Sequence, residues 1–186
     1  MSTSAPTTFH WRLGEPADLD LLADIDTDAS MLFEAAGMFL ELPEGHDFQV
    51  AEQRAWMECL AAGTTLIALE PASVPVGFAA VGRKDGCAFL VQLSTRRRCM
   101  GRGIGSSLLE SAVNLARARG DRELWLTTYA HLAWNRPFYE RHGFVVVAER
   151  ECGREVLEQH ALERRWLPLP EQRVVMRRPV GDRVTT

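Results

Sequence analysis

The chain has 186 residues, 46% of them hydrophobic and 25% charged, and a formal net charge of −4. These values are typical of one soluble globular domain and exclude disorder, collagen or a coiled coil as a description of the whole chain. No stretch approaches the roughly 20 continuous apolar residues that a membrane span needs. Residues 1–8 lack the basic start and apolar block of a signal peptide and predict a loose tail.

Cysteine spacing and charge distribution indicate the cellular compartment and the charge of the ligands. No two of the four cysteines have the spacing of a metal clip, which argues against a disulfide framework or a structural zinc site and predicts a cytoplasmic protein. Between Leu13 and Gln53 the chain has 11 acidic residues and no Lys or Arg, so the remainder carries a net charge of +7. An acidic first third and a basic middle indicate two ligand polarities on one domain.

The first half of the chain predicts a strand over 9–12, two helices and a meander. The helices have apolar residues at helical spacing, and they cover 17–27 and 48–61. The second of them is expected to bury Val50, Trp56 and Leu60, and the weakly patterned residues 29–47 predict a loop with helical pieces. Three apolar runs joined by short turns predict neighbouring antiparallel strands: 64–69, 76–81 and 87–95.

The second half of the chain begins with the strongest helical pattern, which starts at Ile104 and stops at Gly120. Three further strands are predicted: 124–128, 144–148 and 173–177. Two further helices are predicted: 135–142 and 154–165. The last two strands are expected to pair, with residues 153–172 inserted between them. This order predicts an α+β sandwich around a mostly antiparallel sheet.

A glycine-rich segment carries the chemistry: Arg98-Cys99-Met100-Gly101-Arg102-Gly103-Ile104-Gly105-Ser106, between the fourth strand and the long helix. Glycines allow positive φ and close approach of the backbone to a ligand. The amides of the segment and of the first helical turn can then point at one anion, which the helix dipole also favours. Arg97, Arg98 and Arg102 add positive charge, and Ser106 adds a hydroxyl.

Two familiar phosphate-binding motifs do not fit this segment. A Walker loop needs Gly-Lys-Ser/Thr at a fixed spacing, which the chain lacks. The dinucleotide fingerprint G-x-G-x-x-G fails because the third glycine, Gly105, comes one place early. That fingerprint also follows directly on an N-terminal strand, whereas a meander precedes this segment.

The segment resembles the signature of the GNAT superfamily of acyl-CoA N-acetyltransferases, [Q/R]-x-x-G-x-[G/A], which Arg98-x-x-Gly101-x-Gly103 matches. A second stretch, from Trp134 to Phe144, is similar to the family's F-Y-x-x-x-G-F helix. The element order fits from about Phe9 to Arg178. The resemblance implies a GNAT-like α/β/α sandwich with a splayed sheet of about seven strands. It implies a single N-acetyltransferase domain over 9–180, with 153–172 as an insertion and tails at 1–8 and 181–186.

The resemblance also implies acetyl-CoA as cosubstrate and direct attack by a primary amine. Tyr139 stands at the position of the family's catalytic tyrosine, and a phenol, with a pKa of about 10, can protonate the departing thiolate. The backbone at the end of the fourth strand would pair with the pantetheine arm: Leu93, Ser94 and Thr95. The remaining residues would hold the diphosphate: Arg98, Gly101, Arg102, Gly103, Ile104, Gly105 and Ser106. The alternative for Arg98 and Arg102 is that they are solvated charges.

The chain departs from the family pattern at two places. Leu132 stands where the family has an asparagine that contacts pantetheine; Asn135 either compensates or only caps a helix. The family's fourth-strand glutamate base is replaced by Val91 or Gln92, neither of which accepts a proton usefully. The base is therefore open. His131 is the candidate histidine by position, with a solvated loop histidine as the alternative, and acids of the first third, such as Glu34 or Glu41, could act through water.

The acidic run predicts a cationic acceptor, such as a polyamine, an aminoglycoside-like base or a peptide amine, because anionic walls concentrate cations. The alternative is that most of these acids lie on a solvated helix face. The 153–172 insertion either caps the acceptor site or forms a dimer surface, so monomer and homodimer stay open. The second hypothesis is a non-catalytic acyl-CoA-binding module. Nucleic-acid binding is disfavoured, because no aromatics accompany the arginines.

Overall fold

The computed structural model describes residues 9–39, 42–43, 45–71 and 73–181. Seven strands in these ranges form one sheet in the order β1-β2-β3-β4-β5-β7-β6. The strands are β1 (His10–Leu13), β2 (Thr65–Glu70), β3 (Val74–Lys84), β4 (Cys87–Thr95), β5 (Glu123–Tyr129), β6 (Val145–Val147) and β7 (Arg173–Pro179). The α-helices are α1 (Leu19–Ala35), α2 (Asp47–Ala61), α3 (Ile104–Ala118), α4 (Arg136–Arg141) and α5 (Arg154–Trp166). The predicted α+β class and strand number are confirmed.

Every neighbouring pair of strands in the sheet is antiparallel except β4 and β5, which run parallel. The predicted meander of β2, β3 and β4 is confirmed, as is the pairing of the last two strands, β6 and β7. The parallel pair is where the chain crosses over through α3, as parallel strands require.

β4 and β5 pair over only two positions, Ala88 with Leu124 and Phe89 with Trp125. Directly beyond them, the register of β3 and β4 shifts between Ala80 and Val81, so that an extra residue of β4 is accommodated as a bulge. Bulges bend a strand and increase its twist. The rest of β4 diverges from β5 and leaves a cleft between the two strands. The expected splay of the sheet is confirmed.

Helices cover both faces of the sheet because apolar residues occupy both faces of its central strands. Along β4, Ala88 and Leu90 belong to the cluster under α3, whereas Phe89 faces the cluster under α5. α1 and α2 pack on the same side as α5, through Leu22, Ile25, Trp56, Cys59 and Leu60. This is the predicted α/β/α layering. No helix of the described chain is long and apolar enough to cross a bilayer.

Two local predictions were wrong. α1 continues to Ala35 instead of ending at Thr27, so the first part of the predicted 29–47 loop is helical. Val50 is 44% exposed, not buried. The predicted burial of Trp56 and Leu60 is confirmed. Phe48 is buried in place of Val50, two turns from Trp56 on one face, with Glu52 between them. The tail predicted over 1–8, and the C-terminal tail beyond Gly181, lie outside the described residues.

We expect Leu108→Ala to lower the free energy of unfolding by about 2–5 kcal/mol, because the side chain is fully buried between α3 and the sheet and its loss leaves a cavity. Urea unfolding followed by circular dichroism measures the change. Asn114→Ala, at an exposed position of the same helix, is the control and should shift stability by less than about 0.5 kcal/mol. Equal effects of the two substitutions would contradict this account of the core.

Candidate active site

A cleft of about 1140 Å³ opens where β4 and β5 separate. Its lining residues come from α1, α2, β4, β5, α4 and α5 and from the glycine-rich segment. Concave sites of this size are where ligands bind.

The glycine-rich segment has the backbone that the sequence predicts. Gly101 and Gly103 have φ of 73° and 82°, in the left-handed region that favours glycine, and Gly103 is the N-cap residue of α3. A Cβ added at either position would meet no atom within 4 Å, so both face open space. No residue of the described chain accepts a hydrogen bond from the amides of Gly103, Ile104, Gly105 or Ser106. These unsatisfied donors at a helix N-terminus fit an anionic group.

The arginines beside the segment are held by carboxylates. Arg98 and Arg102 each lie 2.7 Å from an oxygen of Glu70, at the end of β2. These hydrogen bonds lower the pKa of Glu70. Arg97 pairs in the same way with Asp28, at 3.4 Å. Both arginines are thus paired but partly exposed, and the two alternatives for them, a diphosphate contact or a solvated charge, stay predictions.

The end of β4 offers its backbone to the cleft. Leu93, Ser94 and Thr95 pair on one side with Ala79, Phe78 and Gly77 of β3, respectively. On the other side they have no β5 partner, because pairing with β5 stops at Phe89. A strand with one open edge can hydrogen-bond to an extended ligand.

Tyr139 lies on α4 and lines the cleft. Its ring packs against Phe138 and Phe144, with centroids 5.2 and 5.6 Å away. Burial raises the pKa of Tyr139, and no hydrogen-bond partner of its hydroxyl is found in the described ranges. The other tyrosine, Tyr129, donates its hydroxyl to the Pro168 carbonyl at 2.7 Å, and burial raises its pKa to about 12. Of the two phenols, Tyr139 is the one with a proton to offer into the cleft.

The residues where the chain departs from the family pattern have different roles. Asn135 is the N-cap residue of α4, yet its side chain makes no capping bond and lines the cleft. Leu132 is buried against Met38 and Tyr129 as a core residue. His131 is exposed and packs on the Tyr129 ring outside the cleft lining, so the structure does not bring this candidate base into the site.

Part of the acidic first third forms ion pairs outside the cleft. Three of its carboxylates pair with arginines: Asp18 with Arg12, Asp24 with Arg96, and Asp28 with Arg97. Three others line the cleft: Asp26, Glu34 and Glu52. Of the two acidic base candidates, Glu34 is therefore in the site, and Glu41 lies outside the described residues.

Sequence reasoning missed a carboxylate that is bound to β4. Asp26 Oδ1 on α1 accepts hydrogen bonds from Gln92 Nε2 at 2.5 Å and from Ser94 Oγ at 2.6 Å. Burial raises the pKa of Asp26. The signal that could have found it was the polar pair Gln92 and Ser94, two residues apart and therefore on one face of an apolar strand.

Sequence reasoning also missed a buried ion pair beneath α5. Arg173 on β7 bonds to Glu163 on α5, and both side chains are about nine-tenths buried. Glu163 Oε1 also accepts hydrogen bonds from Thr127 and Gln159, at 2.7 and 2.8 Å. This pair fixes α5, whose residues Gln159 and Leu162 line the cleft. Residues of the 153–172 insertion thus line the cleft, and its two possible roles, as a cap over the site or as a dimer surface, stay predictions.

An open strand edge, the helix N-terminus of α3 with its unbonded amides and the Tyr139 phenol thus line one cleft in the described chain. Residues 30–144 match the model of the acetyltransferase (GNAT) family. This match spans more than half of the chain, and the chain therefore belongs to the GNAT acetyltransferase family. The resemblance inferred from the two sequence motifs is confirmed.

Solved structures show the same fold at low identity. The chain is similar to a GNAT-family acetyltransferase from Staphylococcus aureus Mu50, with TM-score 0.68, 13% identity, and 94% of this chain and 100% of the other covered. It is also similar to the PaiA N-acetyltransferase from Thermoplasma acidophilum, solved with coenzyme A. Here the TM-score is 0.64 and the identity 16%, and the match covers 92% of this chain and 99% of the other. N-acetylglutamate synthase from Neisseria gonorrhoeae, solved with coenzyme A and N-acetyl-glutamate, matches with a TM-score of 0.66 and 14% identity. That match covers 96% of this chain but only 37% of the synthase chain.

We expect Glu163→Gln to destabilise the fold by about 3–5 kcal/mol, because it leaves the buried guanidinium of Arg173 without a counter-charge. Thermal unfolding monitored by circular dichroism measures the loss. Glu158→Gln on the same helix breaks an exposed pair with Arg154 and should leave the midpoint almost unchanged. A similar midpoint for both variants would show that the buried pair does not hold α5 in place.

Proposed function

We propose that the chain transfers an acetyl group from acetyl-CoA to the primary amine of a cationic small molecule or peptide by direct attack in a ternary complex. The observation that carries the proposal is the convergence on one cleft of the free amides at the start of α3, the open edge of β4 and the Tyr139 hydroxyl. Acetyl-CoA supplies an activated acyl group as a thioester. The chain supplies binding, orientation and proton transfer.

The residues of the cleft fit a coenzyme A ligand. The amides of Gly103 to Ser106 need an acceptor, which a diphosphate provides, and the open space beside Gly101 and Gly103 lets it approach. The free edge of β4 at Leu93 to Thr95 fits the amide groups of pantetheine. Asn135, whose side chain is not used as a cap, would add a polar contact along the same arm.

Tyr139 is the proton donor in this proposal. A phenol is protonated at neutral pH, and burial favours that form further. Tyr139 therefore has a proton to give to the thiolate that leaves when the amine attacks the thioester carbonyl. Direct attack is supported by Cys99, which lines the cleft but is buried. Burial raises the pKa of its thiol and so makes it a poor nucleophile for an acyl-enzyme.

The acceptor side supports a cationic amine. Asp26, Glu34 and Glu52 line the cleft without an ion-pair partner in the described part of the chain, whereas the buried Arg173 is neutralised by Glu163. Two other basic side chains, Lys84 and Arg141, also line the cleft. An ammonium group would gain most beside the three unpaired carboxyls.

Thiol release from acetyl-CoA, measured with spermidine, an aminoglycoside and a peptide with a free N-terminus, tests the proposed activity. We expect amine-dependent release with at least one of them. Tight binding of coenzyme A in calorimetry, without release for any amine, would favour the alternative of a non-catalytic acyl-CoA-binding module.

We expect Tyr139→Phe to lower kcat by about 10²–10⁴-fold with little change in coenzyme affinity, because it removes only the donated proton. Steady-state thiol release and calorimetry measure the two quantities. Tyr129→Phe removes a hydroxyl that is bonded to Pro168 and is the matched control, with kcat within a few-fold of the wild type. Equal kcat values for the two variants would remove Tyr139 from the mechanism.

We expect Gly103→Ala to weaken coenzyme A binding by about tenfold, because a side chain at a φ of 82° costs about 1–2 kcal/mol and displaces the amides. Gly120→Ala, at a φ of 81° after α3, carries the same backbone cost far from the segment. Calorimetry with coenzyme A should show weakened binding for the first variant alone. Unchanged affinity in Gly103→Ala would separate the segment from the diphosphate.

A further inference from the structure

Glu52 is an acidic residue on an apolar helix face. It lies one turn from Phe48 and one turn from Trp56 on the side of α2 that faces the sheet, and both aromatic side chains are buried. Its side chain lines the cleft, and no hydrogen bond or ion pair to it occurs among the residues that the structure describes. Burial of a carboxyl group without a hydrogen-bond or ion-pair partner costs folding free energy. A bound ligand could supply that partner.

Asp26 differs from Glu52 in that its position is fixed. Gln92 and Ser94 both donate to its Oδ1 atom, and Ser30 also hydrogen-bonds to the carboxylate. The anchor is β4 itself, at the residues next to the open strand edge. Asp26 is therefore a carboxyl group at a fixed position next to the open edge of β4, with one oxygen already occupied by donors.

The charged groups that face Glu52 come from three elements: Asp26 on α1, Glu163 on α5 and Arg173 on β7. Arg173 is the positive one, and it is bonded to Glu163. The remaining neighbour, Asp26, repels a charge on Glu52. The one cation that faces Glu52 is therefore already paired with Glu163, and a bound ammonium would supply a cation for Glu52 itself.

We propose that Glu52 is the proton acceptor for the amine substrate and that Asp26 is a positioning residue that tunes it. The proposal rests on the proposed acetyl transfer. The N–H bond of the ammonium breaks, its electron pair stays on nitrogen, and the proton forms an O–H bond with the Glu52 carboxylate. The neutral amine then attacks the thioester carbonyl, the C–S bond breaks, and the thiolate takes the Tyr139 proton. The amide nitrogen loses its second proton through Tyr139, and Glu52 releases its proton to solvent.

The electrostatics agree with this role. Burial, then repulsion by Asp26 and Glu163, raises the pKa of Glu52 to about 8. A base that titrates near neutral pH combines a usable ionised fraction with enough basicity to hold a proton. Because Asp26 contributes to the shift, removing its charge should move the titration of Glu52 to lower pH.

The pH profile of kcat/KM, measured with the most active cationic amine, tests the proposal. We expect the wild type to gain activity with pH through the titration of Glu52, Asp26→Asn to shift that rise to lower pH, and Glu52→Gln to lose about 10²–10⁴-fold. Methoxyamine, which is neutral at the assay pH, should react with Glu52→Gln almost as fast as with the wild type. A structural role for Glu52 would lower both rates together.

Wild-type turnover with an unchanged pH profile in Glu52→Gln overturns this inference and leaves the acetyl transfer intact. Absence of turnover in the wild type, by contrast, overturns the proposed function and the inference with it. Glu58→Gln, exposed on the same helix, is the matched control and should keep the wild-type profile.

A second measurement needs no substrate. Because the folded pKa of Glu52 is raised, the folded state holds its proton between pH of about 4.3 and 8 while the unfolded state has lost it. The free energy of unfolding of the wild type should therefore fall across this window relative to Glu52→Gln, and the difference should level off above pH 8. Urea unfolding at several pH values measures it, and a constant difference would overturn the proposal.

Discussion

The early end of pairing between β4 and β5 is the constraint on which the site depends. After two paired positions the bulge turns β4 away, and the backbone of its last residues loses a partner on one side. The same divergence opens the space into which α3 presents its amides and α4 its phenol. A fully paired sheet would bury these groups and leave no cleft. The site thus requires that hydrogen bonds between β4 and β5 are lost, and the packing of the five helices on both faces of the sheet compensates for this loss of stability.

Much of this architecture could be predicted from the sequence because its signals are local. The glycines of the segment, the long apolar stripe of α3 and the Phe138-Tyr139 pair each encode their own element, and the short turns between β2, β3 and β4 determine that those strands are antiparallel neighbours. The end of α1 was misplaced because the residues after Thr27 are weakly patterned. Their helix is stabilised by packing over the cleft, which is a tertiary effect.

The acidic part of the site could not be predicted for a different reason. Asp26 and Glu52 look like members of a solvated acidic run, and only the approach of α1 to β4 shows that Asp26 is held by Gln92 and Ser94. Likewise, the predicted inner face of α2 had Val50 with Trp56 and Leu60, whereas Phe48 is buried in place of Val50 and the same face carries Glu52. The polar pair Gln92 and Ser94 marks the β4 side of this contact, but a partner more than 60 positions away cannot be identified from a local pattern.

The pairing of Glu70 with Arg98 and Arg102 has a consequence for how the glycine-rich segment meets an anion. Its two guanidinium groups already share one carboxylate, which holds them side by side and balances part of their charge. An arriving diphosphate would exchange partners with Glu70 instead of meeting two bare cations. The arginines are therefore preorganised, but their net attraction for an anion is smaller. Added salt would weaken both their ion pairs with Glu70 and their interaction with a diphosphate.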